Sequence, residues 1–398
     1  MKILLITHVF VPAVGGAAVV YGNLARLLRP EIVILTARRE YKTSEEPPNL
    51  CEIDGAQPFI VKRVDFLRSH TPGRLRRVVQ DLVFTRTKVA IEILKLLRDL
   101  KPDMVCIGAL HDGYWIARVV KIWRNLPIIF YVHGEEISGL YKSRLHGKGP
   151  LRALQNADIV VCVSSFTRGL LVGHGVDPAK IRIIHNGVDV KKFTPGLKDR
   201  ELIARYRLQN KRILLTLGRL DKRKCQDIVV RAMPQVLETF PDTVYIIVGD
   251  GDQRLSLEML VLELRLSGKV FFCGAVPEDE LVRWYRTCDV FLMPNRTLPS
   301  GDTEGFGIVF LEAGACAKPV IGGAAGGVPD AIEDEVTGVL VEGTSVDTVA
   351  NAIIRILSDP DLAASLGANG LRKAQENSWQ SKATQFRALC LDLSNCRN

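Results

Sequence analysis

The stretch EGFGIVFLE, residues 304–312, joins an apolar strand, Val290–Met293, to an apolar helix predicted over Phe306–Ala317. Two carboxylates lie eight residues apart in it, Glu304 in the loop and Glu312 inside the helix. A charge in an apolar helix is costly to bury unless it is paired, so Glu312 indicates a functional site or a structural ion pair. The free N–H groups at the helix start point back toward Glu304, and helix N-termini attract phosphate.

Strand-like and helix-like runs alternate in this way almost throughout the chain. Several strands are near-continuous β-branched runs, as expected when helices cover both faces of a parallel sheet. The predicted strands are Lys2–Thr7, Ile32–Thr36, Phe59–Val64, Met104–Gly108, Ile128–His133, Ile159–Val163, Ile181–Ile184, Ile213–Leu217, Val244–Val248, Val270–Cys273, Val290–Met293, Val320–Gly322 and Gly338–Val341. The predicted helices include Ala17–Leu28, Arg76–Leu100, Tyr114–Arg124, Ser165–Val172, Gln226–Thr239, Arg254–Leu266 and Phe306–Ala317. The pattern predicts an α/β fold with two doubly wound domains.

A polar segment that contains glycine and proline, Asn186–Arg200, separates the two halves and is interpreted as a linker. We predict an N-terminal domain over residues 1–190, a C-terminal domain over residues 191–375 and a last segment over residues 376–398. Ligands of doubly wound sheets bind beyond the C-terminal ends of the strands, so a cleft between the two domains is the expected site.

Composition and cysteine usage restrict the class of protein. The chain has 398 residues, 47% of them hydrophobic, which suggests two globular domains. No apolar run reaches the roughly 18–20 residues of a transmembrane helix, and Met1–Thr7 is interpreted as a first strand and not as a signal peptide. The nine cysteines are scattered without a Cys-x-x-Cys pair, which is typical of reduced thiols in a cytoplasmic protein.

The net charge of +9 is unevenly distributed, with a basic segment over residues 62–88. From Leu75 to Phe84 the spacing is helical, with one apolar and one basic side. Such a helix can dock on anionic lipid, so peripheral contact with the inner face of a membrane is one hypothesis. A surface helix with its apolar side in the core is the other. No aromatic-basic alternation supports nucleic acid binding.

Two loops that follow strands are candidates for binding phosphate. Gly15-Gly16 opens a helix after the first strand, so the backbone there can approach a ligand closely. The Gly-x-Gly-x-x-Gly pattern is absent, and a plain glycine turn remains an alternative. Gly218–Lys224 follows strand Ile213–Leu217 and carries Arg219 and Lys224, two cations that suit phosphate oxygens. Taken alone, this loop also has the composition of a solvated basic turn.

Two more strand ends carry polar candidates. His133 ends strand Ile128–His133 and can donate to a sugar or a phosphate, although a lone histidine is more often structural. Gly249 and Asp250 follow strand Val244–Val248 in a Gly-Asp-Gly turn, which is also common turn chemistry. Neither feature identifies a site by itself.

Together these residues resemble the GT-B-fold retaining glycosyltransferases of glycosyltransferase family 4, also called glycosyltransferase group 1. Residues 304–312 match the family's Glu-x7-Glu signature, and Gly218-Arg219-Leu220 with Lys224 resembles its phosphate clamp. The resemblance covers essentially the whole chain, and it includes Gly15-Gly16, His133-Gly134, Val163–Ser165 with Thr167-Arg168, His185–Asp189 with Phe193, and Trp379 with Phe386. Family members usually have glycine after the clamp lysine, where this chain has Cys225, and we expect a local adjustment there.

The resemblance implies two Rossmann-like domains facing across a cleft, with the acceptor on the first, the nucleotide sugar on the second, and a last helix crossing back onto the first. Arg219 and Lys224 would bind the diphosphate and stabilise the leaving group. Glu304 would hold hydroxyls of the donor sugar, and His133 would face that sugar near the reaction centre. Glu312 would accept hydrogen bonds from the ribose. The other donor-binding residues implied are Gly15, Gly16, Gly249, Val276, Phe306, Gly307 and Ile308.

Breaking the bond between sugar and phosphate puts negative charge on the diphosphate, and preorganised cations with helix N–H groups stabilise that charge. The expectation is therefore a retaining hexosyltransferase without a metal or other cofactor, acting on a sugar, glycan or lipid-linked acceptor. Glycosidase chemistry is rejected, because Glu304 and Glu312 suit two parts of one extended donor better than two faces of one bond. The rivals are a sugar-nucleotide epimerase or a phosphorylase of the same fold, and a donor-binding scaffold that has lost catalysis.

Overall fold

The computed structural model describes residues 1–13, 15–39, 45–65, 86–138 and 148–395. The chain divides into two compact units. The first unit comprises residues 1–163, 167–184 and 379–398, and the second comprises residues 164–166 and 185–378. Each unit has its own parallel sheet with flanking helices, so the prediction of two doubly wound α/β domains is confirmed.

The first unit is built on seven parallel strands in the order β3-β2-β1-β4-β5-β6-β7. These strands are β1 (Ile3–Ile6), β2 (Ile32–Ala37), β3 (Ile60–Val64), β4 (Met104–Ile107), β5 (Ile128–Val132), β6 (Ile159–Cys162) and β7 (Ile181–Ile183). Its described helices are α1 (Gly16–Leu27), α2 (Leu50–Gly55), α3 (Arg86–Leu100), α4 (Leu110–Arg124), α5 (Glu135–Ser138), α6 (Lys148–Gln155) and α7 (Ser165–Gly173).

The second unit has six parallel strands in the order β10-β9-β8-β11-β12-β13, the Rossmann order. These strands are β8 (Arg212–Leu217), β9 (Thr243–Val248), β10 (Val270–Gly274), β11 (Val290–Met293), β12 (Val320–Gly323) and β13 (Val339–Val341). Its helices are α8 (Arg200–Arg205), α9 (Gln226–Thr239), α10 (Arg254–Glu263), α11 (Leu281–Thr287), α12 (Ile308–Ala315), α13 (Val328–Ala331), α14 (Val346–Ser358) and α15 (Pro360–Glu376). The last helix of the chain is α16 (Trp379–Asn395).

The central strands are apolar because both of their faces are covered. Every residue of β1, β4, β5, β9 and β11 is buried, which explains their continuous apolar sequences. The edge strand β3 is partly exposed and carries Lys62 and Arg63. Charged side chains on an edge strand discourage pairing with another chain.

The helix α16 belongs to the first unit, where it packs against α1. Phe386 is fully buried, and its ring centroid lies 5.9 Å from that of Tyr131 on β5. The chain leaves the first unit after Ile184 and returns to it at Trp379, so the boundaries differ by a few residues from the 190 and 376 expected from sequence.

Three predicted helices have different bounds in the structure. The helix expected over Phe306–Ala317 is α12, which is shorter and spans Ile308–Ala315. It begins after Gly307 because Gly307 has φ 91°, outside the helical region. The helix expected over Arg254–Leu266 ends at Glu263, and Arg265 then takes a left-handed conformation with φ 55° that closes it. Helix α4 begins at Leu110, four residues before the predicted start at Tyr114.

The predicted helix Arg76–Leu100 is helical over its described part, Arg86–Leu100. The rest of that prediction, and most of the basic segment over residues 62–88, lie outside the described ranges. Within the ranges that are described, no helix is both long and apolar enough to cross a membrane.

Candidate active site

Three strand ends lie side by side at the C-terminal edge of the second sheet. The N–H of Gly218 donates to the carbonyl of Val248 at 2.9 Å, and the N–H of Gly249 donates to the carbonyl of Gly274 at 2.8 Å. A Cβ on Gly249 would lie 2.0 Å from the carbonyl oxygen of Gly218, so this close approach requires glycine. This is the edge at which doubly wound sheets bind ligands. Val276, predicted to bind the donor, follows two residues after the end of β10 and is half-buried.

The turn after β9 contains Asp250 and Asp252, an Asp-x-Asp spacing. The carboxylate of Asp250 accepts a hydrogen bond from the N–H of Gly251 at 2.8 Å and lies 3.8 Å from the Arg254 guanidinium. These contacts are the turn chemistry that the sequence offered as the alternative to a ligand site at Asp250.

Lys224 and Glu304 form an ion pair in which Nζ of Lys224 donates to Oε2 of Glu304. Their side chains are only 12% and 14% exposed. Arg223 adds a second cation, with Nη1 3.3 Å from the same carboxylate oxygen and 3.2 Å from the Thr303 carbonyl. Burial alone would raise the pKa of Glu304, but the charges of Lys224 and Arg223 outweigh it and lower that pKa. Glu304 is therefore ionised at neutral pH.

The turn that presents these cations is closed by its own side chains. Asp221 accepts a hydrogen bond from the N–H of Arg223 at 2.9 Å and caps the 3-10 turn Lys222–Lys224. Cys225 then adopts a left-handed conformation, φ 58° and ψ 31°, before α9 begins. This conformation costs a residue other than glycine about 1–2 kcal/mol, and burial of the Cys225 side chain in the core of the unit offsets that cost.

The loop that carries Glu304 is fixed on both sides. The N–H of Gly327 donates to the Glu304 carbonyl at 2.8 Å, and the hydroxyls of Thr297 and Thr303 are 2.9 Å apart. The N–H of Phe306 donates to the Glu304 carboxylate. Glu304 therefore has its backbone and its side chain held before any ligand arrives.

The residues after Glu304 lead into α12. The Phe306 ring is buried, and its centroid lies 5.6 Å from that of His185. Gly307 is the N-cap, and Ile308 is the first helical residue. Because the first N–H groups of a helix have no partner inside it, this end of α12 can donate to an anion, and donor binding by Gly307 and Ile308 stays a prediction.

Glu312 lies one helical turn into α12 and interacts with Tyr285, away from the Lys224–Glu304 pair. The hydroxyl of Tyr285 donates to Oε2 of Glu312 at 2.7 Å. Burial raises the pKa of Glu312 to about 7, against the lowering effect of this hydrogen bond. Glu312 therefore exists as both acid and carboxylate near neutral pH.

Arg219, the other predicted clamp residue, follows Gly218 and is exposed. Within the described ranges, its guanidinium makes no ion pair with a carboxylate. Its carbonyl accepts a hydrogen bond from the Gln226 side chain at 3.1 Å, which fixes the backbone of the loop. The backbone of Arg219 is thus fixed, while its side chain is held by no carboxylate of the described residues.

The first unit carries the remaining predicted residues. Gly15 caps α1, and Gly16 is its first residue. A Cβ on Gly15 would have no described atom within 4 Å, so packing does not explain the glycine there. An open glycine at a helix N-terminus leaves space for a ligand, and ligand binding at Gly15 and Gly16 stays a prediction.

His133 follows β5, and its ring is enclosed by aromatic neighbours. Nε2 of His133 lies 2.8 Å from the Tyr21 hydroxyl, and the His133 ring stacks on Tyr131 with centroids 5.4 Å apart. Burial lowers the pKa of His133 to about 4, so the imidazole is neutral at pH 7. The Tyr21 hydroxyl is also 3.2 Å from the Gly108 carbonyl and 3.3 Å from the Tyr131 carbonyl. The direction of the hydrogen bond between Nε2 of His133 and the Tyr21 hydroxyl is set by the tautomer of His133.

Four contact residues were missed from the sequence. Arg223 directly precedes the predicted Lys224, and the basic composition of this loop was the only sequence feature that could have indicated a role for it. Tyr21 lies in the predicted helix Ala17–Leu28, and Tyr285 lies in α11, which was not among the helices named from the sequence; neither tyrosine was singled out as a site residue. Glu136, whose carboxylate accepts from the His133 N–H at 2.7 Å and whose pKa burial raises to about 7, gave no signal beyond its closeness in sequence.

Family profiles match both halves of the chain. Residues 14–192 match the profile described as Glycosyltransferase Family 4, and residues 199–373 match the one described as Glycosyl transferases group 1. Curated relatives align over most of their length. A GDP-mannose-dependent alpha-(1-6)-phosphatidylinositol monomannoside mannosyltransferase of Mycolicibacterium smegmatis is 35% identical over 79% of this chain and 83% of its own. The enzyme of the same name from Mycobacterium tuberculosis is 31% identical over 93% of this chain and 92% of its own.

Solved structures share the whole fold at low sequence identity. Anabaena Alr3699/HepE in complex with UDP superposes with a TM-score of 0.82, at 20% identity over 98% of this chain and 100% of its own. A sucrose-phosphate synthase from Thermosynechococcus elongatus gives a TM-score of 0.77, at 24% identity over 99% of each chain.

Proposed function

This chain is a GT-B-fold glycosyltransferase of family 4, group 1, and from that premise we propose that it transfers a sugar from a nucleotide-diphosphate-sugar donor to a lipid-linked or glycan acceptor. We further propose that transfer retains the anomeric configuration and needs no metal ion. The observation that carries the proposal is the ionised, largely buried Glu304, held by Lys224 and Arg223 directly before the N-terminus of α12. A carboxylate in this setting can accept hydrogen bonds from sugar hydroxyls while the cations and helix N–H groups receive phosphate.

The residues have separate roles in this proposal. Arg219 and Lys224 bind the diphosphate and stabilise the charge that develops as the sugar leaves. Glu304 holds the sugar and Glu312 the ribose. Gly249, Val276, Phe306, Gly307 and Ile308 complete the donor site on the second unit, and Gly15, Gly16 and His133 stay candidate ligand contacts on the first unit. Two cations at the diphosphate take the part that a divalent metal plays in other transferases, which is why a metal is not needed.

The relatives suggest which donor and acceptor to test first. Two of them are named as GDP-mannose-dependent enzymes that act on a phosphatidylinositol monomannoside, and a fold neighbour was solved with UDP-glucose. We propose a mannosylated phosphoinositide as the first acceptor to examine and GDP-mannose as the first donor.

The test is a thermal-shift panel of nucleotide sugars followed by transfer assays with EDTA present. Binding raises stability by mass action, so the correct donor should raise the melting temperature. Transfer should then form an α-linked product from an α-linked donor, read from the anomeric proton signal. Conversion of the donor without acceptor would indicate an epimerase, and a requirement for free phosphate would indicate a phosphorylase. Binding without turnover across an acceptor panel would indicate a scaffold, and loss of activity in EDTA would contradict metal independence.

Peripheral binding to anionic membrane remains a prediction for the basic segment over residues 62–88. In the described parts of this segment, two cations are already engaged by other side chains of the protein and so are less available to an anionic membrane. Arg63 is paired with Asp54 at 2.7 Å, and Arg86 lies over the ring of Tyr114 at 5.6 Å. Lys62 and Lys88 are exposed, and the remaining cations of the segment lie outside the described residues.

We expect Arg74, Arg76 and Arg77 to contribute to this binding, so their joint reversal to Glu should weaken the affinity for anionic vesicles, measured by co-sedimentation, by at least about a hundredfold. This follows because each basic residue near an anionic surface contributes about 1 kcal/mol. The matched control reverses three exposed arginines of the second unit, Arg200, Arg231 and Arg265. Equal sedimentation of the two triple variants would contradict the membrane prediction.

A further inference from the structure

Lys224 interacts with two anionic groups in the proposed reaction, the Glu304 carboxylate and the diphosphate of the donor. In the protein without ligand it neutralises Glu304, and in the donor complex it also binds the diphosphate. The diphosphate attracts the Lys224 ammonium and so weakens its hold on the carboxylate. Burial already favours the protonated form of Glu304, so a carboxylate left without another cation would take up a proton. A protonated Glu304 would lose much of its capacity to accept hydrogen bonds from sugar hydroxyls.

Arg223 is anchored on the Glu304 side of the site. Its Nη1 lies 3.3 Å from the Glu304 carboxylate and 3.2 Å from the Thr303 carbonyl. Its Nε lies 3.5 Å from Asp221 and 3.7 Å from Asp302. Arg223 contacts three carboxylates, whereas the ion pair of Lys224 is with Glu304, so Arg223 is less free than Lys224 to move to a phosphate.

We propose that Arg223 is a positioning residue that keeps Glu304 ionised and oriented toward the donor sugar while Lys224 engages the diphosphate. This inference rests on the proposed function and adds to it a second counter-ion for Glu304. Arg223 therefore acts on the affinity for the sugar part of the donor through Glu304, and the diphosphate is bound without it.

The test compares the affinity for GDP with that for GDP-mannose, or UDP with UDP-glucose if the wild type prefers uridine, by calorimetry between pH 5.5 and pH 8. Arg223→Gln should weaken nucleotide-sugar binding about tenfold at pH 5.5 and less at pH 8, since one hydrogen bond to a charged group contributes about that factor. Binding of the free diphosphate should stay within about twofold. Lys222→Gln, the same charge change at an exposed position in the same turn, should alter neither affinity.

A double-mutant cycle separates action through Glu304 from any general structural effect. In a Glu304→Gln background, Arg223→Gln should change nucleotide-sugar affinity no further. Arg223→Lys keeps the charge, should fall between wild type and Arg223→Gln, and carries the test if Arg223→Gln does not fold.

Three results would overturn the inference while leaving the proposed function intact. They are equal weakening of GDP and GDP-mannose, additive effects in the Glu304→Gln background, and a loss that does not depend on pH. Failure of the wild type to bind any nucleotide sugar would instead overturn the proposed function, and this inference with it.

Discussion

Lys224→Ala is expected to lower the rate of glycosyl transfer by about 10²–10³-fold, the loss typical when one preorganised group that stabilises transition-state charge is removed. The ammonium of Lys224 is the cation paired most closely with Glu304, and it stands beside the end of the sheet where the diphosphate is proposed to bind. Steady-state rates with saturating donor would measure the effect. Lys222→Ala, an exposed lysine of the same turn, should retain nearly full activity.

The same substitution also has a stability effect that must be separated from the catalytic one. Because the pKa of Glu304 is lowered in the folded protein, the ion pair stabilises the fold at pH values above the ordinary value of 4.5, and this contribution is lost as pH falls below it. Lys224→Ala should therefore cost about 1–3 kcal/mol at pH 7, and this cost should shrink as pH falls from 4.5 through the lowered pKa of Glu304. Adding Glu304→Gln should restore the stability, by removing a buried charge that has lost its closest partner, without restoring transfer. Recovery of activity in the double variant, or full activity in either single variant, would contradict the site assignment.

Glu312→Gln is expected to stabilise the folded protein and to lower its affinity for the nucleotide sugar. The pKa of Glu312 is raised to about 7 by burial, whereas in the unfolded chain it is near 4.5. Between these values the unfolded state releases a proton that the folded state keeps, so Glu312 destabilises the fold increasingly as pH rises and fully above pH 7. Glutamine removes this cost and its amide oxygen still accepts from Tyr285. We expect a gain of about 1–3 kcal/mol at pH 8 that vanishes near pH 4.5.

The same variant should bind the nucleotide sugar about tenfold less tightly at pH 8, because a charged acceptor for the ribose hydroxyls is lost. Urea melts at pH 4.5 and pH 8 and calorimetric titrations with GDP-mannose would measure the two effects. Glu263→Gln on the exposed side of α10 is the matched control and should change neither quantity. A variant that is less stable than wild type at pH 8 would show that Glu312 is a structural charge.

Much of the fold was readable because the central strands are buried on both faces. Strand Val290–Met293 has the predicted bounds, since a continuous apolar run bordered by polar residues leaves little choice. Helix Gln226–Thr239 has them because its apolar residues recur at helical spacing. Helix ends set by a single backbone conformation were not readable. Gly307 delays the start of α12, and the left-handed Arg265 ends α10 early.

The positions of two site residues could be predicted from the strands that precede them, but their contacts could not. Lys224 and Glu304 each follow an apolar strand, and strand ends are where such sheets bind ligands. Their pairing joins residues 80 positions apart, and that of Glu304 with Arg223 joins residues 81 apart. Tyr285 reaches Glu312 across 27 positions from another helix. Contacts of this separation depend on how the strands are ordered in the sheet, which no local pattern in a single sequence specifies.

The first unit is assembled from the two ends of the chain, and this sets an order on its synthesis. Helix α16 packs on α1 and buries Phe386, yet residues 185–378 must be translated between them. At 5–20 residues per second the ribosome needs roughly 10–40 s for that stretch. During this interval the side of α1 that binds α16 is uncovered in the nascent first unit. A stalled or truncated chain would therefore expose apolar surface to chaperones and proteases. Protection of α1 from proteolysis should therefore appear last, when the final helix has left the ribosome.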